Sequence, residues 1–252
     1  MKAEEKKILY NLIKTSSQYI NGYTPEFFKG EEPVFTDDII QAEKKGISIE
    51  EIASKISRCT RCGLARTRTN VVPGMGVKNP YVMVIGEGPG AEEDAQGKPF
   101  VGKAGILLDR MLAAIQLERN TNCFIANIVK CRPPQNRDPY PDEQAACISF
   151  LDAQIHCLKP KIILCLGRIS AHKLLNTEEA LGKLRGNFFE YNDIPLMVTY
   201  HPSALLRNEE LKLTFSYGDE GNPEEVSLDN FKNVSKFEIE FFMKQHHLNY
   251  HF

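Results

Sequence analysis

The 252-residue chain predicts an α/β fold, a three-layer α/β/α sandwich with a mainly parallel central sheet, on three observations. From residue 81 onward strand-like and helix-like segments alternate, the pattern of βαβ units. The strand segments, such as "VMVI" and "IILCL", are continuous apolar runs, as expected when helices cover both faces of a parallel sheet. Unusual polar, glycine and proline residues fall directly after three strands, where open α/β sheets hold ligands.

The elements follow in order. Residues 1–57 read as a helical, partly flexible extension, distinct from a domain spanning 58–252. Within it, Ile8, Leu9, Leu12 and Ile13 suggest a short amphipathic helix, and Pro25 and Pro33 mark a polar linker. "SIEEIASKIS" predicts a second helix, with Ser48 as N-cap and Glu51 in capping-box position. The domain then predicts strand 81–86, helix 104–116, strand 123–129, helix 141–158, strand 161–166, helix 168–175 and strand 196–200. Residues 208–230 form an acidic insertion without periodicity, and Phe231, Val234, Phe237, Ile239 and Phe241 suggest a last helix over about 229–245.

Composition narrows the setting. A net charge of −2 means that any nucleic-acid surface must be local. No apolar run approaches membrane-spanning length, and "MKAEEKKILYNLIK" lacks a signal-peptide core. The expectation is a cytoplasmic monomer with no membrane partner, whose seven cysteines are reduced.

The stretch "VMVIGEGPGAEEDAQGKPFVGKAG" superficially satisfies a dinucleotide fingerprint, with Gly86, Gly88 and Ala91 in place. That reading is rejected because Glu87, Glu92, Glu93 and Asp94 would repel a pyrophosphate, and because the helix is expected only after "EEDAQGK". Asp109, at a distance suited to a ribose contact, reads as a helix-face residue. The three strand ends together offer a carboxylate (Glu87), an aromatic face (Phe100), an amide (Asn127) and an imidazole (His201). Singly, each has a bland reading in turn chemistry, capping or surface exposure; together they suit a flipped-out base.

The motifs "GEGPG", "AEED", "AQGKPFVG", "LLDRML", "NIVKCRPP" and "HPSALLR" resemble the iron–sulfur uracil-DNA glycosylases, family 4, from about Cys59 to Arg207. The sister family 5 has an apolar residue where this chain has Glu87. The resemblance implies a monofunctional hydrolase that acts on uracil-containing DNA, single- or double-stranded. It also assigns Cys59, Cys62, Cys131 and Cys147 to a [4Fe–4S] cluster, whereas Cys123, Cys157 and Cys165 read as core residues. A C-x-x-C pair alone leaves redox and zinc chemistry open, and Cys147 would also pack well on an apolar helix. Arg58, Arg61, Arg66, Arg68, Lys130, Arg132 and Arg137 around the ligands suggest a basic surface for phosphate.

The implied roles follow from the chemistry of N-glycosidic cleavage. Glu87 would stabilise the sugar cation and orient water, and Gly88 would leave space for that water. His201 would donate to uracil O2, Phe100 would stack, and Asn127 would read O4 and N3–H. Glu93 is a candidate for excluding thymine at C5. The DNA contacts expected are Gly102 and Lys103 at a helix start, Arg207, and Ser203, which also reads as a helix N-cap. Leu206 would wedge into the vacated duplex position, with Leu205 an equal alternative. The competing class is a non-catalytic iron–sulfur DNA-binding or electron-transfer protein.

Overall fold

The computed structural model describes residues 47–208. The expected helix around Ile8–Ile13, nearly all of the acidic insertion and the helix at about 229–245 lie outside the described residues.

The described chain opens with α1 (Ile49–Ser57), whose Ser48 side chain accepts from Glu51 N while Glu51 returns a carboxylate to Ser48 N. This is the predicted capping box. Ile52 and Ile56 recur four residues apart, so they share one face, and both are buried against the core that includes Phe150 and Leu151. The last helix of the extension is therefore packed into the domain that follows it.

The remaining elements are β1 (Met75–Gly76), β2 (Val82–Gly86), α2 (Ala91–Gln96), α3 (Lys103–Ala114), β3 (Cys123–Asn127), α4 (Pro141–Leu158), β4 (Ile162–Leu166), α5 (Arg168–Leu175), α6 (Leu181–Leu184), β5 (Phe188–Tyr191), β6 (Ile194–Thr199) and α7 (Pro202–Arg207). They build a six-stranded sheet in the order β1-β3-β2-β4-β6-β5. The four central strands are parallel, and the short edges β1 and β5 pair antiparallel. All five residues of β2, β3 and β4 are buried, which explains their unbroken apolar sequence. One core cluster lies on each face: Ile85, Ile128 and Leu151 belong to one, and Val84, Leu108 and Leu112 to the other.

Two expectations are corrected. A helix, α2, does open immediately after the glycines, with Gly90 as its N-cap; Glu93 accepts from Gly90 N at 3.1 Å and so supplies the cap that glycine lacks. The strand expected over 123–129 ends at Asn127. Ile128 N and Val129 N still donate to Gly86 O and Glu87 O, but β2 has ended, so the ladder does not continue. The order in which strands are added reverses between the parallel neighbours β2 and β4, with β3 laid on one side and β6 on the other. The cleft at their carboxyl ends is the topological switch point of the sheet. Among the described residues no helix is long and apolar enough to cross a membrane.

Candidate active site

A cleft of about 450 Å³ opens at this switch point, a size suited to a small organic group. It gathers Glu87 and Gly88 after β2, Phe100 before α3, Asn127 at the end of β3, and His201 after β6, all named by the sequence. Glu93, Ser203 and Arg207 line it too.

Phe100 has a backbone φ of +51°, a region costly for a bulky residue. Two groups hold it there. Glu93 accepts from Val101 N and Gly102 N, at 2.9 and 3.1 Å, and Arg119 donates to Pro99 O and Phe100 O while pairing with Asp109. A Cβ on Gly105 would lie 1.9 Å from Phe100 O, so α3 can approach only with glycine there. The ring is thereby fixed, buried, with its centroid 5.5 Å from that of His201.

These contacts revise several sequence roles. The Glu93 carboxylate is committed to three backbone amides, which gives it a structural use beside the suggested exclusion of thymine. The Gly102 amide donates inward to Glu93 rather than standing open to phosphate. Asp109 pairs with Arg119, in keeping with a helix-face role. Arg119 itself carried no sequence signal, because its use depends on a loop carbonyl twenty residues away.

His201, not Ser203, caps α7. The Ser203 amide donates to His201 Nδ1 at 3.2 Å, and the Ser203 hydroxyl lies 2.8 Å from the same atom. An amide N–H can only donate, so Nδ1 is unprotonated and the neutral ring carries its hydrogen on Nε2. Burial, reinforced by Arg207 and opposed by Glu93, lowers the imidazole pKa to about 4. His201 is therefore a neutral hydrogen-bond donor at ordinary pH.

Glu87 is shifted the other way. Burial, then the charge of Asp138, raises its carboxyl to about 7, against the pull of Arg168 and Arg207. Asp138 and Arg168 line the same cleft and form an ion pair at 2.5 Å. Neither was named as a site residue from the sequence, for they come from different strand-end loops and meet only in the fold.

Asn127 is 1% exposed, and its Oδ1 has no hydrogen-bond partner among the described residues. Its carboxamide is enclosed at the strand ends: a Cβ on Gly86 would lie 2.5 Å from Oδ1 and 2.7 Å from the Phe100 ring. The amide's direction is thus set by packing rather than by a hydrogen bond. Behind it, Lys130 donates to Asn127 O and to Gln154 Oε1, both at 2.8 Å. Lys130 is completely buried, with its pKa lowered to about 8 by desolvation, so it is not part of a basic surface as expected.

Leu205 is fully buried and Leu206 is 42% exposed, which removes Leu205 as a wedge. Lys103 opens α3 and is exposed, as is Arg207 at the end of α7.

Cys59, Cys62, Cys131 and Cys147 line one small cavity between α1, the loop after β3, and α4. Arg68 donates to Cys131 Sγ at 3.1 Å. Burial raises the thiol pKa of Cys62, Cys131 and Cys147, the last to about 11, so their ionisation calls for a cation. Among the described residues no three metal-binding side chains converge as for a single ion. Cys123 and Cys165 are buried in the sheet, and Cys157 donates to Ile47 O. Asp94 accepts from Thr69 N and Asn70 N, which ties the cysteine-bearing loop to α2 and hence to the cleft.

The chain is also similar in sequence to known proteins. The sequence model of the uracil DNA glycosylase superfamily matches residues 73–219. The chain is 38% identical over 173 residues to a type-4 uracil-DNA glycosylase of Archaeoglobus fulgidus, covering 66% of this chain and 86% of that protein. It is 43% identical over 173 residues to one of Saccharolobus solfataricus, covering 66% and 80%. Identity to a type-5 uracil-DNA glycosylase of Pyrobaculum aerophilum is 27% over 189 residues, covering 62% and 83%. With the superfamily model spanning more than half the chain, and the greater identity on the type-4 side, this protein belongs to the type-4 uracil-DNA glycosylases.

Proposed function

We propose that the chain binds uracil-containing DNA, receives a flipped uracil in the switch-point cleft and hydrolyses its N-glycosidic bond, leaving an abasic site for base excision repair. The observation that carries this reading is the orphaned Asn127 Oδ1, a buried acceptor on a residue that lines the cleft. A buried acceptor left unpaired costs free energy that a ligand N–H can recover. Uracil N3–H supplies that donor, and the amide nitrogen of the same side chain can donate to O4. Cytosine reverses both directions.

The other groups fit the charge that develops as the bond breaks. Phe100 offers a fixed ring for stacking. The neutral His201 donates from Nε2 to O2, where negative charge accumulates. Glu87, once ionised, faces the cationic sugar and orients the attacking water. Arg207 and Lys103 are placed for phosphate, Ser203 holds the His201 tautomer, and Leu206 fills the space the base leaves.

We further assign Cys59, Cys62, Cys131 and Cys147 to a [4Fe–4S] cluster. Four thiols spaced around one cavity suit a cluster, which takes a thiolate at each corner rather than four at one ion. The Arg68 guanidinium on Cys131 Sγ favours the thiolate form. The cluster would join α1, the β3–α4 loop and α4, a structural task remote from the reacting bond.

The test is single-turnover incubation of the full chain, purified anaerobically, with an oligonucleotide carrying one uracil. Release of free uracil and an alkali-sensitive abasic site are expected. Binding without base release would return the chain to the non-catalytic class.

A further inference from the structure

The geometry points to Tyr140 as a stacking platform for an unpaired base that flanks the flipped nucleotide, an inference that rests on DNA being the substrate. Tyr140 is 56% exposed, and only Ile106 and Leu206 share that degree of exposure among the large apolar side chains described. An exposed aromatic of this kind is ordinary when mobile. Here the ring is held. Proline stands on both sides of it, as Pro139 and Pro141, and its own N–H donates to Glu143 Oε2 at 2.8 Å. The Arg137 guanidinium covers one ring face at 3.6 Å from the centroid. That guanidinium is itself fixed by two hydrogen bonds, of 2.8 and 2.7 Å, to the buried carboxylate of Glu143.

The result is a rigid π face backed by a cation, whose ordering has been completed before any partner arrives. Its position selects the partner. Arg137 and Asp138 line the cleft, and Tyr140 follows Asp138 by two residues, which is at most about 7 Å along the chain. A base next to the flipped nucleotide on the same strand lies within that reach, since nucleotides in a stacked strand repeat every 3.4 Å or so. Stacking of this type tolerates any base, because every base presents a π face. Tyr140 would thus grip the strand beside the lesion without reading its sequence.

The test compares wild type, Tyr140→Ala and Tyr140→Phe as full chains purified anaerobically. Binding is measured by fluorescence anisotropy to single-stranded oligonucleotides that carry one 2′-fluoro-deoxyuridine, which resists cleavage. The residues flanking it are either ordinary nucleotides or an abasic spacer on the 5′ or the 3′ side. With ordinary flanks, Tyr140→Ala should weaken binding on the order of tenfold, and Tyr140→Phe should restore it. A spacer on one side should erase the difference between Tyr140→Ala and wild type. Equal binding by all three proteins overturns the inference. So does a loss that persists with either spacer, which would place Tyr140 against the backbone or in support of the loop. Base release by wild type on ordinary deoxyuridine, scored separately, decides whether the substrate reading itself holds.

Discussion

The amide of Ser203 donates to Nδ1 of His201 across 3.2 Å, and this one contact fixes the imidazole as an Nε2 donor. With its pKa lowered to about 4, His201 stays neutral at ordinary pH. Its charge change therefore belongs near pH 4 and not between 6 and 7. His201→Ala should slow single-turnover cleavage by about 10²–10³, the loss typical of an oxyanion donor. An unchanged rate would remove His201 from the chemistry.

The role proposed for Glu87 predicts a pH dependence. Its carboxyl, raised to about 7, is mainly protonated below that pH and ionised above it, and the carboxylate is the form proposed to face the sugar cation. Single-turnover cleavage at saturating DNA should therefore rise with pH through about 7 and level off above it. Asp138 raises that pKa and Arg168 lowers it, so Asp138→Asn should move the rise to lower pH and Arg168→Met to higher pH. Glu87→Gln should abolish the rise and greatly reduce the rate while leaving DNA affinity little changed. A profile that is the same in wild type and Glu87→Gln would place the titrating group elsewhere.

Asn127→Asp tests base reading. The carboxylate accepts from cytosine N4, and its protonated form donates to N3, whereas uracil loses its donor for O4. Weakened uracil excision and slow release of cytosine are expected, fastest from mispairs, and the ratio of cytosine to uracil release should rise at lower pH, where the acid form of the new side chain is populated. Full uracil activity with no cytosine release would show that Asn127 does not read the base edge.

The four cysteines predict a brown protein with about four irons per chain after anaerobic purification. Cys62→Ala should lose colour and soluble yield together, because one ligand set ties α1 to α4. A colourless wild type containing a single zinc would refute the cluster.

The adjacent leucines should separate cleanly. Leu205→Ala, at a fully buried site, should cost about 2–5 kcal/mol of stability by denaturant unfolding. Leu206→Ala should leave stability within about 0.5 kcal/mol and lower excision from duplex more than from single strands. Equal activity loss on the two DNA forms would deny the wedge.

Much of this molecule was legible in its sequence. Buried parallel strands carry unbroken apolar runs, so β2, β3, β4 and much of β6 could be read directly, as could the Ser48–Glu51 cap, which is closed by residues three apart. The strand ends also named Glu87, Phe100, Asn127 and His201, because ligand chemistry at a sheet's carboxyl edge needs residue types that strands and turns do not. The start of α2 was missed because its cap comes from Glu93 reaching back, not from Gly90. Lys130 read as surface charge because a charged side chain shows burial only through its partners, here Asn127 O and Gln154 Oε1. The strained Phe100 backbone held by Arg119 and Glu93, and the choice between Leu205 and Leu206, were decided by tertiary structure alone. Each depends on which atoms packing brings within hydrogen-bond or van der Waals reach, and sequence order does not record that distance.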